Sequence, residues 1–415
     1  MKKTFKIIGI VLGAIAALFL ILFLSNRVNE WRMNKYVDSF SKVEIQNQLE
    51  PTVGAEGVAY FVTDGDFKVM HLTDIHIGGG IFSTKKDKMV INAVAAMIDA
   101  EKPDLVIVTG DVSFAVPYAA GTLNNAYAHR IFSRLMERLG VFWTVTLGNH
   151  DSESYNYHKR DAVSKMYEHE ELTHCLYSSA DGISGKGNHR IDVRNSAGFV
   201  TESFYMIDSH SYTDSDPLGI KWDYDYIKDD QIAWYSDGVA SVTAHNAALY
   251  ASLADEARAE YAALLSPKSL MFMHIPLREV KYAYDDYVNN GRADTEDTVY
   301  LGGHDGEDKQ VVFSSRTDEL LFEAILELGS TKAVFFGHDH LNNFVLSYKG
   351  VTLSYGYSMD YLAYFGIKKE GFQRGCAIIK CSPSGDATIS HENYYQDKYT
   401  PLYEKESVNM SKDAK

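Results

Sequence analysis

The sequence predicts an α/β domain built on a largely parallel sheet, carried behind one apolar amino-terminal helix. Three observations predict it. Apolar runs such as Leu105-Val106-Ile107-Val108-Thr109 alternate with amphipathic stretches of helical period, the βαβ pattern. Five of these runs end in Asp, Asn or His: at Asp74 and His76, at Asp111, at Asn149-His150-Asp151, at His274, and at His338 and His340. Ligands in open α/β folds bind at the carboxyl ends of strands, so these ends are the candidate site. Lastly, Ile7 to Leu24 holds no charge over 18 residues, just enough to span a bilayer as a helix.

Taken in order, Lys2, Lys3 and Lys6 precede the apolar span, and no small-x-small cleavage site follows it. An uncleaved, single-pass signal anchor with a cytoplasmic amino terminus is expected, which puts the domain outside the cell membrane. Strands are expected over 67–73, 105–109 and 141–147, with helices over 85–102 and 122–139 between them. A helix over 157–170 and short strands over 175–178, 190–193 and 204–207 follow. Residues 209–240, rich in Tyr, Trp and Asp, read as an ordered excursion over one rim. Its aromatic residues Trp222, Tyr224, Tyr226, Trp234 and Tyr235 offer either packing or a stacking surface. A helix over 242–265 leads to a strand over 269–273. Residues 277–316 read as a second rim loop, 318–328 as a helix and 333–336 as a strand. A meander over 344–348, 351–354, 375–381 and 387–392 completes the domain.

A hydrophobic fraction of 46% supports a full core, and a formal net charge of −16 argues against a nucleic-acid-binding surface. Cys175, Cys376 and Cys381 form no CxxC pair, so a zinc ribbon or disulfide framework is not expected. A bridge between Cys376 and Cys381 stays open beside the alternative of buried free thiols.

Asp74-x-His76, Gly110-Asp111, Gly148-Asn149-His150-Asp151, His274 and Gly337-His338-x-His340 together resemble, in order, the calcineurin-like metallophosphoesterases. Met271-Phe272-Met273-His274-Ile275-Pro276-Leu277 and Tyr205-Met206-Ile207-Asp208-Ser209 resemble the purple-acid-phosphatase-like branch. The resemblance implies a four-layer α-β-β-α metallophosphoesterase sandwich, here preceded by the one transmembrane helix read from the apolar span. Residues 1–24 would be the anchor, 25–66 a tether leading into the domain, 67–400 the metallophosphoesterase domain, and 401–415 a loose tail. It also implies two divalent metal ions, Mn²⁺, Fe²⁺ or Zn²⁺. Asp74, His76, Asp111 and His340 would hold the first, and Asp111, Asn149, His274 and His338 the second. Such a pair generates a nucleophile from water and clamps attacking and leaving oxygens. His338 and His340, two apart on an extended strand end, would point the same way.

The implied reaction is hydrolysis of a phosphoester through a metal-bridging hydroxide. His150 assists the leaving group, and Asp151 orients it as a neighbouring carboxylate. Asn149, His150 and, from a rim loop, His304 would touch substrate. Purple acid phosphatases carry a tyrosine where this chain has Phe114, so no strong visible absorption band is expected. A small phosphorylated molecule is the expected partner, together with the membrane. Phosphodiesterase or nucleotide pyrophosphatase activity on the same site, or a metal-binding scaffold without activity, are the alternatives. Monoester or diester preference and oligomeric state stay open.

Overall fold

The computed structural model describes residues 2–406, apart from 55, 154, 214–222, 308–310, 319, 365–366 and 368–373. Two sheets pack face to face, and each is covered on its outer face by helices. The five-stranded sheet runs Ala387–Asn393, Gly375–Cys381, Phe67–Leu72, Leu105–Thr109, Trp143–Thr146. Its last three strands are parallel to one another, and Gly375–Cys381 pairs antiparallel with Phe67–Leu72. The nine-stranded sheet has Ser269–Phe272 and Thr331–Phe336 at its centre, in parallel register with Val200–Met206 and Val351–Tyr355.

The layers follow from alternation along each strand. Phe67, Val69, Leu105 and Ile107 point inward and meet Phe204, Phe272 and Phe335 from the facing sheet. Their neighbours Met70, Val106 and Val108 point outward beneath helices Thr84–Glu101 and Ala126–Leu139. On the other side Met271 and Val334 lie beneath helices Asp229–Ser252, Arg278–Asn289 and Leu321–Leu328. This is the expected α-β-β-α sandwich. Phe132 and Leu135 of helix Ala126–Leu139 are fully buried against the first sheet, where truncation of either to alanine costs about 2–5 kcal/mol.

Several segments differ from the sequence reading. Helix Asp229–Ser252 begins well before residue 242, because Gln231 accepts the Lys228 N–H at 2.9 Å and closes its first turn. Its first half is where Tyr235 and Val239 bury. Residues 277–316 are not one loop: they hold helix Arg278–Asn289 and edge strand Thr298–Gly302. That helix buries Val280, Ala283 and Tyr284 on a single stripe, which the surrounding charges conceal. The expected meander divides, its first two strands joining the large sheet and its last two the small one. Residues 175–178 make only an isolated bridge, Cys175 to Trp143.

The segment expected as a tether begins inside a helix. Lys2–Val37 is one unbroken helix, and Met33 and Val37 at its far end are fully buried in the helix layer of the small sheet. Strand Ala59–Val62 later joins the nine-stranded sheet. At the other terminus Tyr403 packs at a tilt on Tyr36 at 4.7 Å, and Glu406 pairs with Arg374 at 3.3 Å. Residues 407–415 lie outside the described residues. Cys376 and Cys381 are free and buried, five positions apart on one strand and therefore on opposite faces.

Candidate metal centre

The carboxyl ends of the central strands of both sheets meet at one seam. His274 Nδ1, from the large sheet, donates to the carbonyl of Thr109 in the small sheet at 2.8 Å. The Gly337 N–H donates to the His274 carbonyl at 3.1 Å, and the His76 N–H to the Asp111 carbonyl at 2.9 Å. Glycines permit this approach. A Cβ on Gly148 would lie 2.1 Å from Asp111 Oδ1, and one on Gly337 1.8 Å from Thr73 Oγ1. Asp74, His76, Asp111 and His338 all have positive φ, between 51° and 77°. Left-handed backbone at non-glycine residues is costly and clusters at functional sites.

Two groups of donor atoms converge there. Atoms of Asp74, His76, Asp111 and His340 lie within 4.8 Å of one another, as do those of Asp111, His274 and His338. Asp111 is common to both. Its Oδ2 is 3.0 Å from His274 Nε2, 3.4 Å from His76 Nε2 and 4.0 Å from His150 Nε2. Asn149 joins the second group, with Oδ1 3.1 Å from His274 Nε2 and its Nδ2 donating away to the Tyr212 hydroxyl at 2.9 Å. That leaves the amide oxygen facing the cluster. His338 and His340 are not on an extended segment, since His338 is left-handed. The turn sends the rings to different groups: His338 against His274 at 5.2 Å, His340 against His76 at 4.8 Å.

The donor set suits divalent cations. Hard carboxylate and amide oxygens sit beside imidazoles in a buried pocket, where unpaired charge is expensive. Burial by itself would raise the Asp111 carboxyl, but the imidazoles of His274, His150 and His76 hold it far below the usual carboxylate range. Burial opposes charge on His274 too, yet Asp111 and then Asp74 lift it to about 9. Burial and the neighbouring His274 push His338 far down.

Two carboxylates that the sequence reading passed over complete the surroundings. Asp360 is fully buried behind the rings of the first group, with Oδ1 3.4 Å from His76 Nδ1 and Oδ2 3.9 Å from His340 Nδ1. It is held by the N–H groups of Leu362 at 2.6 Å and Ala363 at 2.7 Å. Glu153 Oε1 lies 2.8 Å from His150 Nδ1. Burial opposes charge on His150, but Asp111 and Glu153 outweigh it and raise the ring above its ordinary value.

Asp151, expected to orient His150, bonds elsewhere. Its carboxylate accepts the N–H groups of Asp111, Ser113 and Gly148 at 3.0, 2.9 and 2.8 Å, bracing the two turns that carry Asp111 and Asn149. Arg160 reinforces the same turn: it pairs with buried Asp208 and donates to the carbonyls of Leu147 and Gly148 at 3.0 and 3.1 Å.

The rim carries aromatic rings. Tyr224 meets His338 edge-on at 4.6 Å and stacks on Tyr212 at 5.4 Å. Tyr212 also donates to Glu153 at 3.3 Å, linking Asn149 to the partner of His150. Trp234 and Tyr235 pack on Tyr205, away from the seam, and Trp222 lies outside the described residues. Phe114 stands edge-on to both His76, at 5.4 Å, and His150, at 5.0 Å. His304 is outside both donor groups. Its loop pairs with the segment just after His340, the His304 N–H donating to Asn343 Oδ1 at 2.7 Å.

Several known proteins are similar to this chain. Probable inactive purple acid phosphatase 28 of Arabidopsis thaliana is 26% identical over 329 residues, 73% of each chain. Phosphatase DCR2 of Saccharomyces cerevisiae is 26% identical over 191 residues, 42% of this chain and 32% of that one. A crystal structure of a dimetal phosphatase from Danio rerio superposes with a TM-score of 0.43 at 11% identity, covering 80% of this chain and 98% of the other. The family model for calcineurin-like phosphoesterases matches residues 67–342, well over half of the sequence and every residue of both donor groups. The chain therefore belongs to the calcineurin-like phosphoesterase family.

Proposed function

We infer that this chain is a phosphoesterase that works with two divalent cations at the seam between its sheets. The observation that carries the reading is the pair of donor groups sharing Asp111. Asp74, His76, Asp111 and His340 would hold one ion, and Asp111, Asn149, His274 and His338 the other. Mn²⁺, Fe²⁺ and Zn²⁺ all suit this oxygen and imidazole set. When bound, the two ions supply an activated water and neutralise charge on the phosphoryl oxygens.

The chain's own groups do the rest. The Asn149 amide oxygen is aimed inward because Tyr212 takes its N–H. His150 reaches the surface, with 20% of its side chain exposed and the far nitrogen paired to Glu153. It is placed to hand a proton to the departing alcohol oxygen, while Glu153 fixes the ring and stabilises its charged form. Asp151 acts on this step through the backbone it braces, and His304 stands by the rim where a substrate's leaving group would pass.

The test is a metal-depleted full chain, reloaded with each ion in turn and assayed on para-nitrophenyl phosphate and bis-para-nitrophenyl phosphate. Metal-dependent release that vanishes in Asp111→Asn supports the reading, and the ratio of the two rates separates monoesterase from diesterase or pyrophosphatase activity. Two bound ions with no turnover of either compound would favour the metal-binding scaffold, the reading to which the names of the Arabidopsis relatives point.

The amino-terminal helix is apolar and long enough to cross a bilayer. With Lys2, Lys3 and Lys6 ahead of it, we place the metal-bearing domain on the extracytoplasmic side. Protease added to intact cells should digest the domain. Complete protection would refute that orientation.

A further inference from the structure

The anchor helix and the metal-bearing domain share one apolar rim. The helix is fixed to the domain just beyond the uncharged span. Asn29 donates to the Gly80 carbonyl at 3.0 Å and accepts the Thr84 hydroxyl at 2.7 Å. Asn26 accepts the Ile81 N–H at 3.0 Å and donates to the Gly121 carbonyl at 2.9 Å. Arg130 closes on Glu30 at 2.6 Å. Met33 and Val37 are buried further along, so this part of the helix packs against the domain.

A groove of about 620 Å³ lies where the two meet, with Phe19, Leu22 and Phe23 on the helix side and Phe82, Leu123 and Tyr157 on the domain side. The uncharged run Ile7 to Leu24 is about 27 Å long at 1.5 Å per residue, against a hydrocarbon core of about 30 Å. Filling the core therefore uses the whole run, Phe19 to Phe23 included. The domain side chains beside those residues then sit at the outer acyl and headgroup level. They are suited to it: Phe82 is 61% exposed and Tyr157 74%, and they come from separate loops. Large apolar side chains gathered at one exposed place mark an interaction surface.

The apolar surface also leads inward. Phe114, whose ring meets His76 and His150, forms a small buried cluster with Val116 and Leu362. Val116 is followed by Pro117, which lines the groove. The segment Phe114 to Pro117 thus joins the rings of the metal centre to the lining of the groove.

We propose that this rim seats in the membrane interface and that the metal centre acts on a phosphoester in a lipid headgroup of the same bilayer. The inference rests on the phosphoesterase reading above and names its substrate class. The oxygen of water bonds to phosphorus, and the bond from phosphorus to the lipid alcohol oxygen breaks. That oxygen takes one proton, and the other stays with the phosphate or passes to solvent. The acyl chains remain in the bilayer, beside the groove.

The test uses the full chain, metal-loaded, in phosphatidylcholine vesicles containing phosphatidic acid. In the double variant Leu123→Glu with Tyr157→Glu, phosphate release from phosphatidic acid should fall about tenfold or more while soluble para-nitrophenyl phosphate is cleaved within about twofold of the parent rate. A fluorophore on Leu123→Cys, in a Cys175→Ser background, should be quenched by nitroxide-bearing lipid and shielded from iodide. One on Leu301→Cys, at the far edge of the large sheet, should respond to iodide. Equal iodide quenching at the two positions would overturn the seating of the rim. Loss of both activities together in the double variant, or rapid turnover of the soluble ester with none of phosphatidic acid, would overturn the substrate class. Turnover of neither compound with any ion would instead refute the phosphoesterase reading on which this one depends.

Discussion

The two sheets bring different chemistry to the seam between them. The five-stranded sheet contributes both carboxylates of the donor groups, Asp74 and Asp111, with the Asn149 amide and a single imidazole, His76. The nine-stranded sheet contributes imidazoles alone: His274, His338 and His340. Backbone strain is divided in the same way, with three left-handed donors on the small sheet and one on the large. Each donor group draws on both sheets. The lesson is that metal affinity here depends on how well the two sheets are registered. The hydrogen bond from His274 to Thr109 and the buried Asp360 are part of the site for that reason.

That contrast can be broken most severely at the shared carboxylate. Asp111→Asn removes the negative charge common to both groups and should lower kcat by about a thousandfold or more, read in metal-saturated turnover. Next comes His150→Ala, which leaves the donors in place. A drop in kcat of about 10²–10⁴ with KM little changed is expected, and a KM effect alone would refute the proton-transfer role. Asp360→Asn should weaken binding of the first ion by about 10–100-fold in a metal titration and spare the second. Equal weakening at both would show that Asp360 supports the seam as a whole. Chelation tests the registry itself: a site saturated at a thousand times its Kd adds about 4 kcal/mol, so removing the ions should lower Tm.

The smallest effect concerns a contact between the sheets that no donor group touches. His189 of the large sheet accepts the Thr144 hydroxyl of the small sheet at 2.6 Å and donates from Nδ1 to the Gly187 carbonyl at 2.7 Å. Burial depresses its pKa to about 4, so it is neutral when folded. The unfolded chain, near 6.5, binds the proton first as pH falls. Its contribution is therefore complete above about pH 6.5 and is lost between 6.5 and 4, to the extent of a few kcal/mol at most. Chemical denaturation of metal-free protein across that range, beside His189→Gln, should show a flatter pH dependence in the variant.

The strand-end residues were legible in the sequence because each follows an apolar run, a pattern that survives without knowledge of any contact. Asp360 was not, since it comes several residues after strand Val351–Tyr355, in a turn with no periodic signature. Glu153 was hidden by Asp151, the nearer carboxylate in sequence. The 3₁₀ turn His150–Ser152 reverses that order in space, leaving Asp151 on backbone amides and Glu153 on the ring. Helix Arg278–Asn289 was masked by its charge, and the start of helix Asp229–Ser252 by Gly238 and by aromatic residues that read as a loop.

The unbroken helix Lys2–Val37 has a mechanical consequence. A flexible tether absorbs a change in its length, but a continuous helix converts it into displacement and rotation. Each residue inserted between Leu24 and Asn26 would lift the domain by about 1.5 Å and turn it by about 100°. With the helix in a bilayer, the distance and facing of the seam relative to the membrane would thus be written in a residue count, and a single insertion would change both at once.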